Sequence, residues 1–171
     1  MTPNGHRRLI LTRHAKSAWD NPQLSDHDRP LNDRGRAAAA ELGQWLASRD
    51  HVPDQVLCSD AVRTAETWDR IIPAFGNPPK AEMLPNLYHA SPDMMMRVLK
   101  GAKGACVMML GHNPGIAEFA GMLPAEPPQN GDFIRYPTAA TLVVDFQIED
   151  WAALQPHQGS VLDFFTPTRR G

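Results

Sequence analysis

The 171-residue chain is predicted to form an α/β domain with a mostly parallel central sheet and helices on both faces. Short apolar runs typical of buried strands alternate with segments whose apolar residues recur every three to four positions, as in amphipathic helices. This alternation favours a layered α/β architecture. The length suits one domain, for which we expect a core over about residues 8–165 and a disordered tail over residues 166–171.

Six runs predict strands. They share apolar or β-branched residues over four to six positions and cover residues 9–12, 55–58, 81–84, 105–110, 141–144 and 161–165. Between the fourth and fifth runs, residues 124–137 contain four prolines and no periodic pattern. A loop of this length inside a compact domain is often a lid or a binding loop.

Four helices are predicted between these strands from their start signals. The expected N-terminal signals are Asn32, then Ser59 or Asp60, then Ser91-Pro92, then Asn113 followed by Pro114. In the first helix, Ala38, Leu42, Trp45 and Leu46 form an apolar stripe close to a 3.6-residue period.

Composition excludes several classes of function. The chain has 17 Lys and Arg, 19 Asp and Glu, and a net charge of −2, so no overall field favours nucleic acid or an acidic membrane. No apolar run approaches the roughly 20 residues that a membrane span needs, and Met1–Arg8 does not read as a signal peptide. Cys58 and Cys106 lie in strand-like runs and read as buried thiols, which predicts a cytoplasmic protein.

Polar residues with anion-binding chemistry follow three of the strands. Arg13-His14 ends the first, Arg63 lies in the first helical turn after the second, and His112 ends the fourth, directly before a helix start. Open α/β sheets bind ligands at the carboxyl ends of their strands. Guanidinium groups bind phosphate oxygens in a bidentate manner, and a helix N-terminus adds backbone donors. We therefore expect these four side chains to form one pocket for a phosphate dianion.

The motifs around these residues resemble those of the histidine phosphatase (phosphoglycerate mutase-like) superfamily. Arg13-His14-Ala15 is similar to its Arg-His-Gly signature, residues 59–67 (SDAVRTAET) resemble its second-arginine motif, and residues 111–114 (GHNP) resemble its second-histidine motif. Residues 13–17 (RHAKS) and 28–31 (DRPL) are similar to the SixA-like phosphohistidine phosphatases. The resemblance covers nearly the whole chain.

The resemblance implies a role for each matching residue. His14 would be the nucleophile that forms a phosphohistidine intermediate, which water then hydrolyses. Arg13, Arg63 and His112 would hold the phosphoryl oxygens, and Arg29 would add a cation at the rim. No metal and no cofactor are implied. The implied substrate is phosphohistidine on a phosphorylated protein partner, and the alternative is a small phosphorylated metabolite such as a sugar phosphate or nucleotide.

The chain departs from the family pattern in two places. Ala15 stands where the signature has glycine. Where mutase-type relatives carry a general-acid glutamate, residues 84–90 (LPNLYHA) contain no carboxylate. His89 is a possible proton donor there, and Glu82 and Asp93 flank the stretch. A missing acid argues against mutase activity and against efficient cleavage of alkyl phosphates.

Three other classes of function compete with this interpretation. A cysteine-dependent phosphatase would need five residues between its cysteine and its arginine, whereas only four residues separate Cys58 from Arg63. A metal hydrolase would use His14, His112 and His89, but no pair has compact ligand spacing. A non-catalytic protein could have kept the phosphate pocket without turnover.

Overall fold

The computed structural model describes residues 5–168, and every predicted strand and helix is present in that range. The strands are β1 (Arg7–Arg13), β2 (Gln55–Ser59), β3 (Ala81–Leu84), β4 (Cys106–Gly111), β5 (Thr141–Phe146) and β6 (Ser160–Phe165). The α-helices are α1 (Asp33–Ser48), α2 (Val62–Ile71), α3 (Pro92–Lys100) and α4 (Gly115–Met122). No helix in this range is long and apolar enough to cross a membrane.

The strands form one mixed sheet in the order β3-β2-β4-β1-β5-β6. Strands β1 to β4 are mutually parallel, and β5 runs antiparallel to both β1 and β6. The register pairs Arg13 with Gly111 and Cys58 with Leu110. The carboxyl ends of β1, β2 and β4 therefore meet at one sheet edge, so the residues that follow them are brought together.

Helices cover both faces of the sheet, as predicted. On one face, α3 and α4 contribute Met95 and Phe119 to an apolar cluster with the alternate residues of β1 and β4. On the other face, α1 and α2 contribute Leu42 and Trp68 to a second cluster around Ile10. The strand side chains alternate between these clusters because successive residues of a strand point to opposite faces.

Two of the predicted helix starts are confirmed. The Asn32 side chain accepts a hydrogen bond from the Gly35 N–H at 2.8 Å and caps α1. The Ser91 hydroxyl accepts from the Met94 N–H at 3.2 Å and caps α3.

The other two predictions of a capping residue were wrong. Helix α2 begins at Val62 with Ala61 in the capping position and without a side-chain cap, because the Ser59 hydroxyl lies at the strand end and contacts His112. Helix α4 begins at Gly115, and Pro114 is its capping residue instead of its first helical residue. Asn113 does not cap α4, because its amide donates hydrogen bonds to two carbonyl groups of the segment 124–137.

The second half of the segment 124–137 is anchored in the core. Phe133 and Tyr136 are buried in the cluster on the α3–α4 face. The Tyr136 hydroxyl donates to the Leu11 carbonyl and accepts from the Leu142 N–H, which ties the segment to β1 and β5. Ile134 is exposed.

The tail that we expected to be disordered, residues 166–171, is described only as far as Thr168. There the Thr168 hydroxyl and N–H both donate to the Glu41 carboxylate of α1. Residues 169–171 lie outside the described range.

Candidate active site

A cleft of about 390 Å³ opens at the carboxyl edge of the parallel strands. It brings together all six side chains that the sequence singled out, which are Arg13, His14, Arg29, Arg63, His89 and His112. Six further residues line it, namely Lys16, Ser17, Trp19, Asp26, Asn113 and Thr138.

His14 lies on the floor of the cleft and is 6% exposed. Its Nδ1 lies 2.7 Å from the Ala15 carbonyl oxygen. A carbonyl can only accept, so Nδ1 carries the proton and Nε2 has a free lone pair. Burial, and then the positive charges of Arg13, Arg63 and Arg29, lower the pKa of His14 to about 3. The ring is therefore a neutral base with one unprotonated nitrogen.

His112 lies beside His14, with 5.2 Å between the ring centroids, and is 2% exposed. Burial lowers its pKa to about 2, followed by the effects of His14 and Arg63, so this ring is neutral as well. Its Nε2 lies 2.8 Å from the Ser59 hydroxyl oxygen. If the hydroxyl donates to Nε2, the proton of the neutral ring is on Nδ1, which has no other partner among residues 5–168. His112 can then donate one hydrogen bond to an oxyanion.

Arg63 is 3% exposed and enters the cleft from the first turn of α2. Its two terminal nitrogens donate to Asp26, Nη1 to the carbonyl oxygen at 2.7 Å and Nη2 to Oδ2 at 3.0 Å. These bonds fix one edge of the guanidinium plane. The Nε atom is buried and has no acceptor among residues 5–168.

Arg13 and Arg29 repeat this pattern. Arg13 Nη1 donates to the Tyr136 carbonyl at 3.3 Å, and Arg29 Nη2 lies 3.0 Å from Asp26 Oδ1. Both Nε atoms are buried and lack an acceptor within the described range. Burial, and then the nearby Arg63, lower the pKa of Arg13 and of Arg29. Three guanidinium groups in mutual repulsion, each with an unused buried donor, make a cleft suited to a compact polyanion.

Asp26 is the residue that sequence analysis missed. Its carboxylate lies at the centre of the rim and accepts from Tyr88 Oη at 2.5 Å and from His89 Nε2 at 3.1 Å, besides the two arginines. The hydrogen bond from Tyr88, followed by those from His89 and Arg63, holds the pKa of Asp26 well below its usual range. The one sequence signal for Asp26 was that it is an acidic residue three positions before the basic Arg29 in the same loop.

His89 lies at the rim, where its ring stacks on His112 with 5.6 Å between centroids. Its backbone is in the left-handed region, with φ of 54°, which non-glycine residues seldom adopt and which tends to occur at functional sites. The next residue, Ala90, lies close to α4, since a Cβ added to Gly115 would be only 1.9 Å from the Ala90 carbonyl oxygen. Glycine at 115 therefore permits the approach that brings His89 to His112.

The two acids that flank this loop do not line the cleft. Glu82 lies on β3 and accepts a hydrogen bond from Gln55 at 2.8 Å. Asp93 lies in the first turn of α3. Of the three proton-donor candidates from the sequence, His89 is the one that lines the cleft.

Ala15 is accommodated without opening the cleft floor. Its methyl group is fully buried in a small cluster with Leu31, Ala39 and Ala139. Its N–H donates to the Thr67 hydroxyl of α2 at 3.0 Å. The residue after His14 is thus held by both neighbouring helices.

Two further observations bear on the competing chemistries. Cys58 is buried within β2, and burial raises the pKa of its thiol to about 12, which is unsuitable for a thiolate nucleophile. Within residues 5–168, no three His, Cys, Asp or Glu side chains are grouped so that they could hold a metal ion.

The sequence and the fold of this chain match those of known proteins. The family model of the histidine phosphatase superfamily (branch 1) matches residues 9–89, which include Arg13, His14, Arg29 and Arg63. The chain belongs to the histidine phosphatase superfamily. A chloroplastic protein of Arabidopsis thaliana, itself uncharacterised, is 38% identical over 138 residues. That match covers 68% of this chain and 59% of the plant protein.

Solved structures identify the SixA-like group within the superfamily. A candidate SixA phosphohistidine phosphatase from Agrobacterium tumefaciens is 27% identical with a TM-score of 0.76, covering 94% of this chain and 98% of its own. A second, from Nakamurella multipartitia, is 28% identical with a TM-score of 0.79, covering 98% and 99%. The histidine phosphatase is therefore SixA-like in sequence and in fold.

Proposed function

We propose that this histidine phosphatase removes phosphate from phosphohistidine on a protein partner, through a phosphohistidine intermediate on His14. The observation that carries the proposal is the state of His14, a neutral ring whose Nδ1–H is held by the Ala15 carbonyl and whose Nε2 lone pair is free. A fixed neutral imidazole is the form that attacks phosphorus. An imidazolium would have no lone pair to offer.

The floor of the cleft suits the transition state of phosphoryl transfer. Negative charge in that state is spread over the three equatorial oxygens. Arg13 and Arg63 each have a buried Nε–H without a protein acceptor in the described range, and His112 has an unpartnered Nδ1. Preorganised donors of this kind stabilise developing charge without reorganisation at the moment of reaction. Arg29 contributes a third cation nearer the rim.

The reaction would proceed in two displacements. In the first, the His14 Nε2 lone pair forms a bond to phosphorus while the bond to the leaving group breaks and its electron pair departs with that group. In the second, water attacks phosphorus and the pair of the N–P bond returns to Nε2. One proton of the water stays on the attacking oxygen, and the other passes to a second phosphate oxygen or to solvent. His14 is then neutral again.

We propose that no metal takes part, because the arginines supply the positive charge that a metal would otherwise provide. Activity in the presence of a strong chelator should equal activity without it. A cytoplasmic location is proposed on a separate ground, the two buried free thiols Cys58 and Cys106, which suit a reducing compartment.

The leaving group supports phosphohistidine as substrate. The cleft holds no glutamate at the position where mutase-type relatives carry their acid, and an alkoxide leaves poorly without a proton. The imidazole of phosphohistidine can take its proton on the other ring nitrogen, since histidine titrates near pH 6.5. An open cleft of about 390 Å³ can receive a side chain that projects from a protein surface.

A rate comparison tests the proposal. Peptides with phosphohistidine, phosphoserine or phosphotyrosine would be assayed beside common metabolite phosphates, with His14→Ala as the inactive control. Phosphohistidine should be turned over about 10²–10⁴-fold faster than phosphoserine, the size of a typical proton-donor contribution. Higher efficiency on a sugar phosphate or nucleotide would favour the small-molecule alternative. No turnover of any phosphate would indicate a binding protein.

A further inference from the structure

Asp26 is the one acidic residue among the described residues that line the cleft, beside the cations Arg13, Lys16, Arg29 and Arg63. The proposed reaction has no use for it so far. Its side chain is 42% exposed and lies at the mouth of the cleft, whereas His14 lies buried on the floor. A carboxylate that stays ionised at the entrance repels an incoming phosphate dianion. Its presence calls for a feature of the substrate that offsets this repulsion.

In-line geometry places the leaving group next to Asp26. The attacking and departing atoms lie on opposite sides of phosphorus. Because His14 attacks from the floor, the leaving group faces the mouth, where the exposed lining residues are Lys16, Trp19, Asp26 and His89. The rim therefore contacts the part of the substrate that differs between classes of phosphate compound.

The Asp26 carboxylate has acceptor capacity left on one oxygen. Oδ2 receives Tyr88, His89 and Arg63, and Oδ1 is contacted by Arg29 at 3.0 Å. An ionised carboxylate offers about four acceptor sites shared between its two oxygens. Oδ1 can accept one more donor, and the four existing partners hold it in place.

We propose that Asp26 determines substrate specificity by accepting a hydrogen bond from the N–H of a protonated nitrogen leaving group. A protonated N-phosphoryl compound carries both the donor and the positive charge that complement this carboxylate. An alkyl or aryl oxygen leaving group carries neither. The inference rests on the proposed function and assigns its preference for phosphohistidine to one residue at the rim.

The chemical step is the first displacement described above, and the proposal specifies where the proton of the leaving group lies. His14 Nε2 bonds to phosphorus, the substrate P–N bond breaks, and the electron pair returns to the leaving ring nitrogen. The proton on the second ring nitrogen stays there, hydrogen-bonded to Asp26. The ring thus departs as neutral imidazole, and no further acid is consumed.

The proposed hydrogen bond to Asp26 is tested by a thermodynamic cycle that combines a change in the substrate with a substitution of the residue. Phosphoimidazole protonated at its second nitrogen is compared with its N-methyl analogue, which keeps the positive charge and lacks the N–H. In the unaltered protein, methylation should lower kcat/KM about tenfold or more, as expected for a hydrogen bond to a charged group. In Asp26→Ala the penalty should fall to about twofold or less, with Asp26→Asn in between. Asp28→Asn, two residues along the same loop and outside the cleft lining, should keep the full penalty.

The outcomes separate this inference from the proposed function. If both substrates slow equally in Asp26→Ala, the carboxylate only positions Arg29 and Arg63, and the inference is wrong although the phosphatase activity stands. If N-methylation of phosphoimidazole does not lower kcat/KM in the unaltered protein, the inference is also wrong, and no variant is needed to show it. If the unaltered protein turns over neither phosphoimidazole nor 4-nitrophenyl phosphate, the proposed function itself fails.

Discussion

The floor and the rim of the cleft are built in different ways. The floor consists of Arg13, His14, Arg63 and His112, which end strands or begin the helix that follows, and its histidines are almost fully buried. The rim consists of Asp26, Arg29, His89 and Trp19, which lie in loops. Trp19 is 77% exposed, and its indole ring lies 3.5 Å from the Arg29 guanidinium carbon.

This difference separates two tasks. The floor is fixed by strand register and, in the proposed reaction, faces the phosphoryl group, which every substrate of such an enzyme shares. The rim is held by side-chain hydrogen bonds that converge on Asp26, and in the proposed reaction it faces the leaving group, which differs between substrates. Changes to the floor should therefore reduce all activities, whereas changes to the rim should alter the order of preference among substrates.

The largest effect is expected at His14. His14→Ala should abolish turnover of every phosphate tested, because the nucleophile is lost, while vanadate still binds through the arginines. Steady-state assays and vanadate titration would measure the two properties separately. Residual activity within tenfold of the parent would contradict the assignment of the nucleophile.

Arg63 is the next test of the floor. Arg63→Ala should lower kcat about 10²–10⁴-fold on phosphohistidine and aryl phosphates alike, since a preorganised donor to the transition state is removed. Arg63→Lys should recover part of the loss, because lysine is a point charge without the planar fork. Parent-like activity of Arg63→Ala would mean that α2 delivers no phosphate ligand.

The floor was predictable from sequence, whereas two of the four rim residues, Asp26 and Trp19, were not. Arg13, His14 and His112 follow short apolar runs, and parallel strands bring such ends together whatever the loops do. Asp26 gives no such signal, because its place depends on how residues 18–30 fold back over the cleft. Asn113 was misassigned for a similar reason, since its amide bonds to the distant carbonyls of Arg135 and Tyr136.

His89 tests whether the rim handles the leaving group. His89→Gln should slow alkyl phosphates by up to about 10²-fold and leave 4-nitrophenyl phosphate nearly unchanged, because only poor leaving groups need a proton. Glu82→Gln and Asp93→Asn are matched controls outside the cleft and should change neither rate. A loss for His89→Gln that is equal across leaving groups would exclude proton donation by this residue.

The buried floor should also make stability depend on pH. The pKa values of His14 and His112 are about 3 and about 2 in the folded protein, against about 6.5 when unfolded, so only the unfolded state takes up these protons as pH falls below 6.5. Between pH 6.5 and pH 5, protonation of each ring in the unfolded state should lower the free energy of unfolding by about 2 kcal/mol. Denaturant unfolding of the parent and of His14→Asn/His112→Asn would measure this. An equal loss on acidification in both proteins would contradict the neutral assignment.

The central claim is that phosphate passes through His14, and trapping the intermediate tests it most directly. The protein would be mixed with a fast substrate, quenched without acid and digested, and the phosphorylated peptide identified by mass spectrometry. We predict a phosphoryl group on His14 that is labile in acid and stable in alkali, as a phosphoramidate is, and that is absent from His14→Ala. An acid-stable adduct, or phosphate on any other residue, would contradict the account.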